Sequence, residues 1–225
     1  MFFKRAKNIE KRLEKMEIID RVDLNKKALD LKFNIKNRSG NDVLKIENLE
    51  KRFDQKIIFK AANLNLNYGE KVALVGENGS GKSTLIKIIL GQDINFNGKL
   101  KLGTSIKFGY IPQNIIFEDD ENTILDYFLE GNNFSETEAR NKLARYGFRQ
   151  ENVFKKIRKL SGGEKVRIML MKLIQKDINF LILDEPTNHI DIDTREILEE
   201  ALKEYKGTVL FVSHDRFFIN AIANR

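Results

Sequence analysis

Gly76-Glu77-Asn78-Gly79-Ser80-Gly81-Lys82-Ser83 is the stretch that decides how this chain folds. It fits G-x-x-x-x-G-K-[ST], follows the apolar run Val72-Ala73-Leu74-Val75 and opens the helical run Thr84-Leu85-Ile86-Lys87-Ile88-Ile89-Leu90. Strand, glycine loop and helix start in that order make a P-loop. The glycines let successive backbone N–H groups turn toward phosphate oxygens, and the helix N-terminus adds the positive end of its dipole. The spacing assigns Gly76, Glu77, Asn78, Gly79, Ser80, Gly81, Lys82, Ser83 and Thr84 to a bound nucleotide. Lys82 reaches its β- and γ-phosphates, and the Ser83 hydroxyl holds Mg²⁺.

Outward from the loop, strand and helix signals alternate. Residues 179–183 and 208–212 are short, wholly apolar runs of the kind found in buried parallel strands. A helical stretch, 194–205, separates them. Residues 122–158 read as helices, with Ser135 as an N-cap before an acidic first turn, and 161–176 as a further helix. This alternation predicts an α/β fold, a parallel sheet with helices on both faces. Upstream, 43–48, 57–59 and 64–66 read as short strands, and 99–102 with 106–110 as another antiparallel pair.

Phe180-Leu181-Ile182-Leu183-Asp184-Glu185 is an apolar strand delivering two acids, the form of a Walker B motif. Asp184 at the strand end can hold Mg²⁺, directly or through water. Glu185 can polarise an attacking water, work that needs a carboxylate near the γ-phosphate. Leu160-Ser161-Gly162-Gly163-Glu164 offers free N–H groups and a hydroxyl at a helix start, which can cap a phosphate. Standing alone it would read as an ordinary serine N-cap.

Placed in series with Tyr110-Ile111-Pro112-Gln113 and Val212-Ser213-His214-Asp215, these elements resemble the nucleotide-binding domain of ABC ATPases over residues 42–225. That resemblance implies the ABC form of the P-loop core, with an antiparallel β subdomain and a helical subdomain. It implies that Gln113 contacts Mg²⁺ and the attacking water and that His214 is the switch histidine. By the same resemblance Ser161, Gly162, Gly163 and Glu164 are the signature motif, and Phe53 stacks on adenine. A packed strand phenylalanine is the other reading of Phe53. Glu185-Pro186-Thr187-Asn188-His189-Ile190-Asp191 and Ser213-His214-Asp215-Arg216-Phe217-Phe218 are similar to the ABC-F subfamily, which counts Asp191 among the nucleotide-contacting residues.

Charge and composition narrow the partners. Of the +7 net charge, residues 1–40 carry twelve Lys/Arg against six Asp/Glu, and residues 41–225 the remaining twenty-eight against twenty-seven. In the N-terminal arm Phe2, Ala6, Ile9, Leu13 and Met16 recur at the four-three spacing of a coiled-coil seam, beside a stripe of Lys4, Lys7, Lys11 and Lys15. Such a face reads either as a dock for an anionic partner or as a solvated surface. A helix this short wants a partner helix, so the arm reads as half of a hairpin that leads into an extended linker. The absence of cysteine excludes disulfides and thiolate metal sites and fits a cytoplasmic protein. With only His189 and His214, a His-rich metal site is not expected. No apolar run approaches the ~18 residues of a membrane helix, so no membrane insertion is expected.

The ABC-F resemblance implies a Mg²⁺-dependent ATPase with ATP and Mg²⁺ as cofactors. ABC-F proteins are soluble twin cassettes, and many act on the ribosome as translation factors or antibiotic-resistance proteins. Residues 5–16 resemble the returning helix of the family's interdomain linker, which implies contact with rRNA or tRNA through the basic arm. The expected division is arm and linker over 1–41 and a nucleotide-binding domain, shortened at its C-terminus, over 42–225. One cassette supplies half of each shared site. Its partner is then a second cassette of the same parent chain or a head-to-tail copy, and its isolated activity is weak. The competing reading, the ATP-binding subunit of a membrane transporter, gives no reason for the basic arm. A non-catalytic ATP-binding scaffold sits poorly with the full set of Lys82, Asp184, Glu185 and His214.

Overall fold

Two sheets divide the strands by pairing mode. This computed structural model describes residue 35, residues 37–188 and residues 190–225. The coiled-coil seam and lysine stripe of the arm, and His189, lie outside the described residues. β1 (Asp42–Phe53) and β2 (Lys56–Asn67) form an antiparallel hairpin, and β4 (Asn97–Leu102) pairs antiparallel with the other edge of β1. β3 (Lys71–Leu74), β5 (Phe108–Ile111), β6 (Phe180–Asp184) and β7 (Thr208–Val212) form a parallel sheet in the order β3-β7-β6-β5. The helices are α1 (Lys82–Ile89), α2 (Ile124–Leu129), α3 (Glu136–Arg145), α4 (Gly162–Ile174), α5 (Ile192–Glu204) and α6 (Arg216–Ile222).

Every residue of β6 and β7 is buried, which is why these runs are apolar without alternation. Alternate side chains serve different cores. Leu181, Leu183, Val209 and Phe211 pack with residues of α4, α5 and α6. Phe180, Ile182, Leu210 and Val212 pack instead with Ile86, Ile88 and Ile89 of α1 and with Val43, Leu44 and Ile46 of β1. Helices were expected on both faces; among the described residues one face is covered by α1 together with the antiparallel sheet. A third core gathers Phe128 of α2, Leu143 of α3 and Ile168 and Met171 of α4 around Phe148 and Val153. Thr123, Ser135 and Ser161 start α2, α3 and α4 with reciprocal capping boxes, each closed by an acid three residues on.

The structure corrects two strand expectations. The segments 57–59 and 64–66 belong to one strand, β2, whose register against β1 shifts between Ile46 and Leu49 and again between Leu49 and Lys51. The segments 99–102 and 106–110 do not pair with each other. β4 joins β1, with Leu44 opposite Leu102, whereas β5 joins β6, with Phe108 opposite Phe180. The crossover is stitched by the buried Asn179: its amide donates to the carbonyls of Ser105 and Asn37, and its Oδ1 accepts from Lys107 N–H. That anchor lies more than seventy residues downstream of the turn it holds.

Candidate functional site

The parallel register sets the chemistry-bearing loops on one edge. Leu74 pairs with Val212, Asp184 with Val212, and Ile111 with Leu183. The P-loop, Asp184-Glu185, Ser213-His214 and Pro112-Gln113 therefore all leave the carboxyl ends of their strands together, where open α/β sheets bind ligands. A cavity of about 540 Å³ opens there, lined by Ile58, Asn78, Gly79, Gly81, Lys82, Ser83, Thr84, Gln113, Glu185, Asn188 and His214.

The loop closes over its own lysine. Lys82 Nζ donates to the carbonyls of Gly76 (2.8 Å) and Glu77 (2.9 Å), so its ammonium is held inside the curl of residues 76–81. Gly81 caps α1 at φ 100°, in left-handed space. A Cβ at Gly81 would stand 2.4 Å from Ile58 Cγ2 and 2.9 Å from the Phe59 ring. Glycine is thus required twice over, by conformation and by the approach of β2. No carboxylate occupies the first turn of α1, which leaves its N–H groups to an incoming anion.

Two carboxylates sit side by side in unlike surroundings. Asp184, at the end of β6, is 5% exposed, and its Oδ1 has no hydrogen-bond partner. Burial pushes its carboxyl above the ordinary aspartate value against the bond from Ser83; the Glu185 charge adds to the rise and Lys82 opposes it. An orphaned buried oxygen beside the Ser83 hydroxyl supplies hard oxygen donors, which suits Mg²⁺. Glu185 adopts φ 51°, uncommon for a residue with a side chain. Its N–H donates to Val212 O at 3.0 Å and its carbonyl accepts from Asn188 N–H, so a tight turn sets its direction. The carboxylate accepts from Gln113 Nε2 at 3.2 Å and from Asn188 Nδ2, and His214 Nε2 stands 3.6 Å away. Residues from three strand ends thus converge on one carboxylate.

Other candidate residues lie outside the cavity lining. Ser161 caps α4, its hydroxyl accepting from Glu164 N–H while Glu164 accepts from Ser161 N–H. Gly163 backs onto the start of α5: a Cβ there would stand 2.8 Å from Asp191 Oδ2. Both Asp191 oxygens are engaged as a cap, one by Thr194 N–H at 2.8 Å and the other by the Thr194 hydroxyl at 3.1 Å. Phe53 ends β1, is 49% exposed and lies over Lys51 Nζ at 4.7 Å. Gly76, Glu77 and Ser80 shape the loop without lining the cavity. Sequence reasoning missed Ile58 and gave Asn188 no role. The signal available for Asn188 was its place three residues beyond Glu185, one turn's reach.

The ABC transporter family profile matches residues 59–188, from β2 to the turn that carries Glu185. The chain belongs to the ABC transporter family, as one ATP-binding cassette. It is 38% identical to ABC transporter F family member 5 of Arabidopsis thaliana over 98% of this chain and 33% of that protein. It is 40% identical to the ribosome protection protein VmlR of Bacillus subtilis over 83% of this chain and 34% of that protein. A solved chain from a metal-chelate type ABC transporter in an inward-facing conformation matches with a TM-score of 0.66, at 28% identity, over 82% of this chain and 78% of that one. The cassette spans about a third of the length of the two curated relatives. Among the described residues no helix is long and apolar enough to cross a membrane.

Proposed function

We propose that this cassette is the second ATPase domain of an ABC-F type protein, hydrolysing ATP to switch conformation on the ribosome. The convergence of Gln113, Asn188 and His214 on Glu185, at the mouth of a P-loop cavity, is the observation that carries the hydrolytic reading. Lys82 exchanges its two carbonyl partners for the β- and γ-phosphates, so little geometry changes when ATP enters. The free N–H groups of α1 neutralise the remaining phosphate charge, and Phe53 stacks on adenine. Asp184 and Ser83, with Gln113, would hold Mg²⁺, and the ion would supply positive charge against the phosphates. Glu185 takes the proton of the attacking water, aimed by its positive-φ turn and by the Gln113 and Asn188 amides. His214 holds the γ-phosphate. Positioning and electrostatics carry most of such catalysis.

The signature residues Ser161, Gly162, Gly163 and Glu164 lie outside this cavity, which supports a shared site. Each nucleotide is then closed by the α4 start of another cassette, a second copy or the rest of a parent chain. The ribosomal role rests on similarity to VmlR and on the basic residues of the arm, whose attraction to RNA phosphates falls with salt.

The test has two arms. Glu185→Gln keeps ATP affinity while turnover falls about 10²- to 10⁴-fold, the range that general-base catalysis supplies. Turnover unchanged in this variant removes the assigned role. In co-sedimentation with ATP, the protein pellets with ribosomes in a salt-sensitive manner. Pelleting with membranes instead identifies a transporter subunit.

A further inference from the structure

Lys155 precedes α4 by seven residues and plays no part in the nucleotide cavity, yet it makes two bonds at the head of that helix. Its Nζ donates to Glu164 Oε1 at 2.9 Å and to Oε2 at 2.8 Å. Oε2 also accepts the Ser161 N–H at 2.8 Å. Both oxygens of the carboxylate are therefore engaged within the chain, by Lys155 Nζ and Ser161 N–H. Burial alone would raise the Glu164 carboxyl; the bonds from Lys155 and Ser161 outweigh it and hold the group below its ordinary value. A full negative charge thus sits in the first turn of the helix that is to receive a triphosphate, balanced by one ammonium.

The backbone of Lys155 is itself fixed. Its carbonyl accepts from Ile124 N–H, at the start of α2, and its N–H donates to Asn152 O. Next to it, Ile157 N–H donates to Asn122 O and Arg158 N–H to Asp120 O, while the side chains of Lys156 and Arg158 both grip Glu121. The lysine is a short stem on a segment laced to residues 120–124. It is not a free surface cation.

The geometry points to Lys155 as a positioning residue for the signature helix, holding Glu164 aside and neutral in pair so that the Ser161, Gly162 and Gly163 groups can accept a phosphate from another cassette. This rests on the shared-site reading above. Without Lys155 the carboxylate is released beside those amides, where it competes for the same N–H groups and repels the γ-phosphate. The nucleotide held by this cassette's own P-loop is untouched, because no cavity-lining residue contacts Lys155 or Glu164 in the bonds described.

The experiment compares wild type with Lys155→Met, Lys155→Arg, Glu164→Gln and the double variant Lys155→Met/Glu164→Gln. Three quantities are read. Binding of a fluorescent ATP analogue reports the P-loop, sedimentation with Mg-ATP reports pairing, and turnover against protein concentration gives kcat and the pairing constant. Lys155→Met keeps P-loop affinity and weakens ATP-driven pairing about tenfold, the scale of one lost charge-assisted bond. Lys155→Arg restores most of the loss. Glu164→Gln carries no charge for Lys155 to balance, while an amide oxygen still accepts from Ser161 N–H, and it sets the level against which the double variant is read. The double variant recovers to the Glu164→Gln level, although it lacks the ion pair altogether. A double variant as impaired as Lys155→Met overturns the proposal, and so do pairing losses that only follow a lower Tm and weaker analogue binding at the P-loop, which mark a bridge that serves stability alone. Pairing by Lys155→Met at wild-type strength overturns it equally. A wild-type chain that hydrolyses ATP with turnover strictly proportional to its concentration and no pairing refutes the shared-site reading, and the proposal falls with it.

Discussion

Replacing Asp184 by Asn should make the ligand-free protein more stable and the nucleotide-bound protein less so. Asp184 is 5% exposed, its Oδ1 lacks a partner, and burial holds its carboxyl above the ordinary value. Asparagine keeps a polar end there but no charge, so what it relieves is the cost of holding a carboxylate out of water, on the order of 1–3 kcal/mol. Because Ser83 and Glu185 beside it line an open cavity, solvent screening favours the low end, about 1 kcal/mol. For a domain of this size that corresponds to about 2–4 °C in Tm, so ligand-free Asp184→Asn should melt higher by that amount in scanning calorimetry. With ATP and Mg²⁺ at a hundred times Kd, wild type gains about 2.7 kcal/mol, or about 5–10 °C. The variant should match wild type in ATP with chelator and gain almost nothing when Mg²⁺ is added. The pH dependence has a fixed sign. The folded, ligand-free protein binds the Asp184 proton more tightly than the unfolded chain, so the penalty is complete above the folded pKa. It disappears as pH falls through the folded and then the unfolded value. The advantage of Asp184→Asn should therefore shrink on acidification. A ligand-free variant that melts below wild type, or one that retains the full Mg²⁺ response, refutes the reasoning.

Two further outcomes can be checked by the same methods. Phe53→Ala should weaken ATP by about five- to a hundredfold, the scale of one base–aromatic stack, with Phe53→Trp retaining affinity; since Phe53 is 49% exposed, Tm should hardly move. A variant that binds ATP normally but loses stability shows a packed strand residue instead. Gly81→Ala places a Cβ 2.4 Å from Ile58 Cγ2 at φ 100°, and should lower Tm by more than about 5 °C and abolish ATP binding. Adding Ile58→Ala should recover only part of the loss, because the Phe59 ring still stands 2.9 Å from the new Cβ and the left-handed backbone still disfavours a side chain; full rescue by that second change contradicts both arguments.

What was legible in the sequence was whatever is encoded by neighbours. The P-loop and the Asp184-Glu185 pair are each spelled by consecutive residues whose strand, turn and helix signals carry their own geometry. Pairing between distant segments was not legible. Residues 99–110 look like a hairpin because the turn residues Gly103-Thr104-Ser105 separate two short apolar patterns. Their assignment to different sheets depends on the amide of Asn179, which no local pattern announces. Within the site, Ile58 enters the cavity only because β2 passes over Gly81, a contact between a hairpin and a helix cap. Asn188 is a milder case, legible as a turn but not as a hand on the Glu185 carboxylate.

The same distinction bears on function. Motif order along the chain says that a phosphate cradle and a phosphate cap are both present, and is silent on whether they meet. In the fold, the cradle's cation is bonded to its own loop carbonyls, while the cap's acid is bonded to Lys155 and to Ser161 N–H. The lysine of the one and the acid of the other are each paired within their own half, and the residues of the cap do not line the cavity of the cradle. A half-site that is already paired loses little by waiting unoccupied, so nothing in one cassette alone drives closure. On the shared-site proposal, the γ-phosphate, which can replace the partners of the lysine and meet the amides of the cap at once, is the group that would make joining two cassettes favourable.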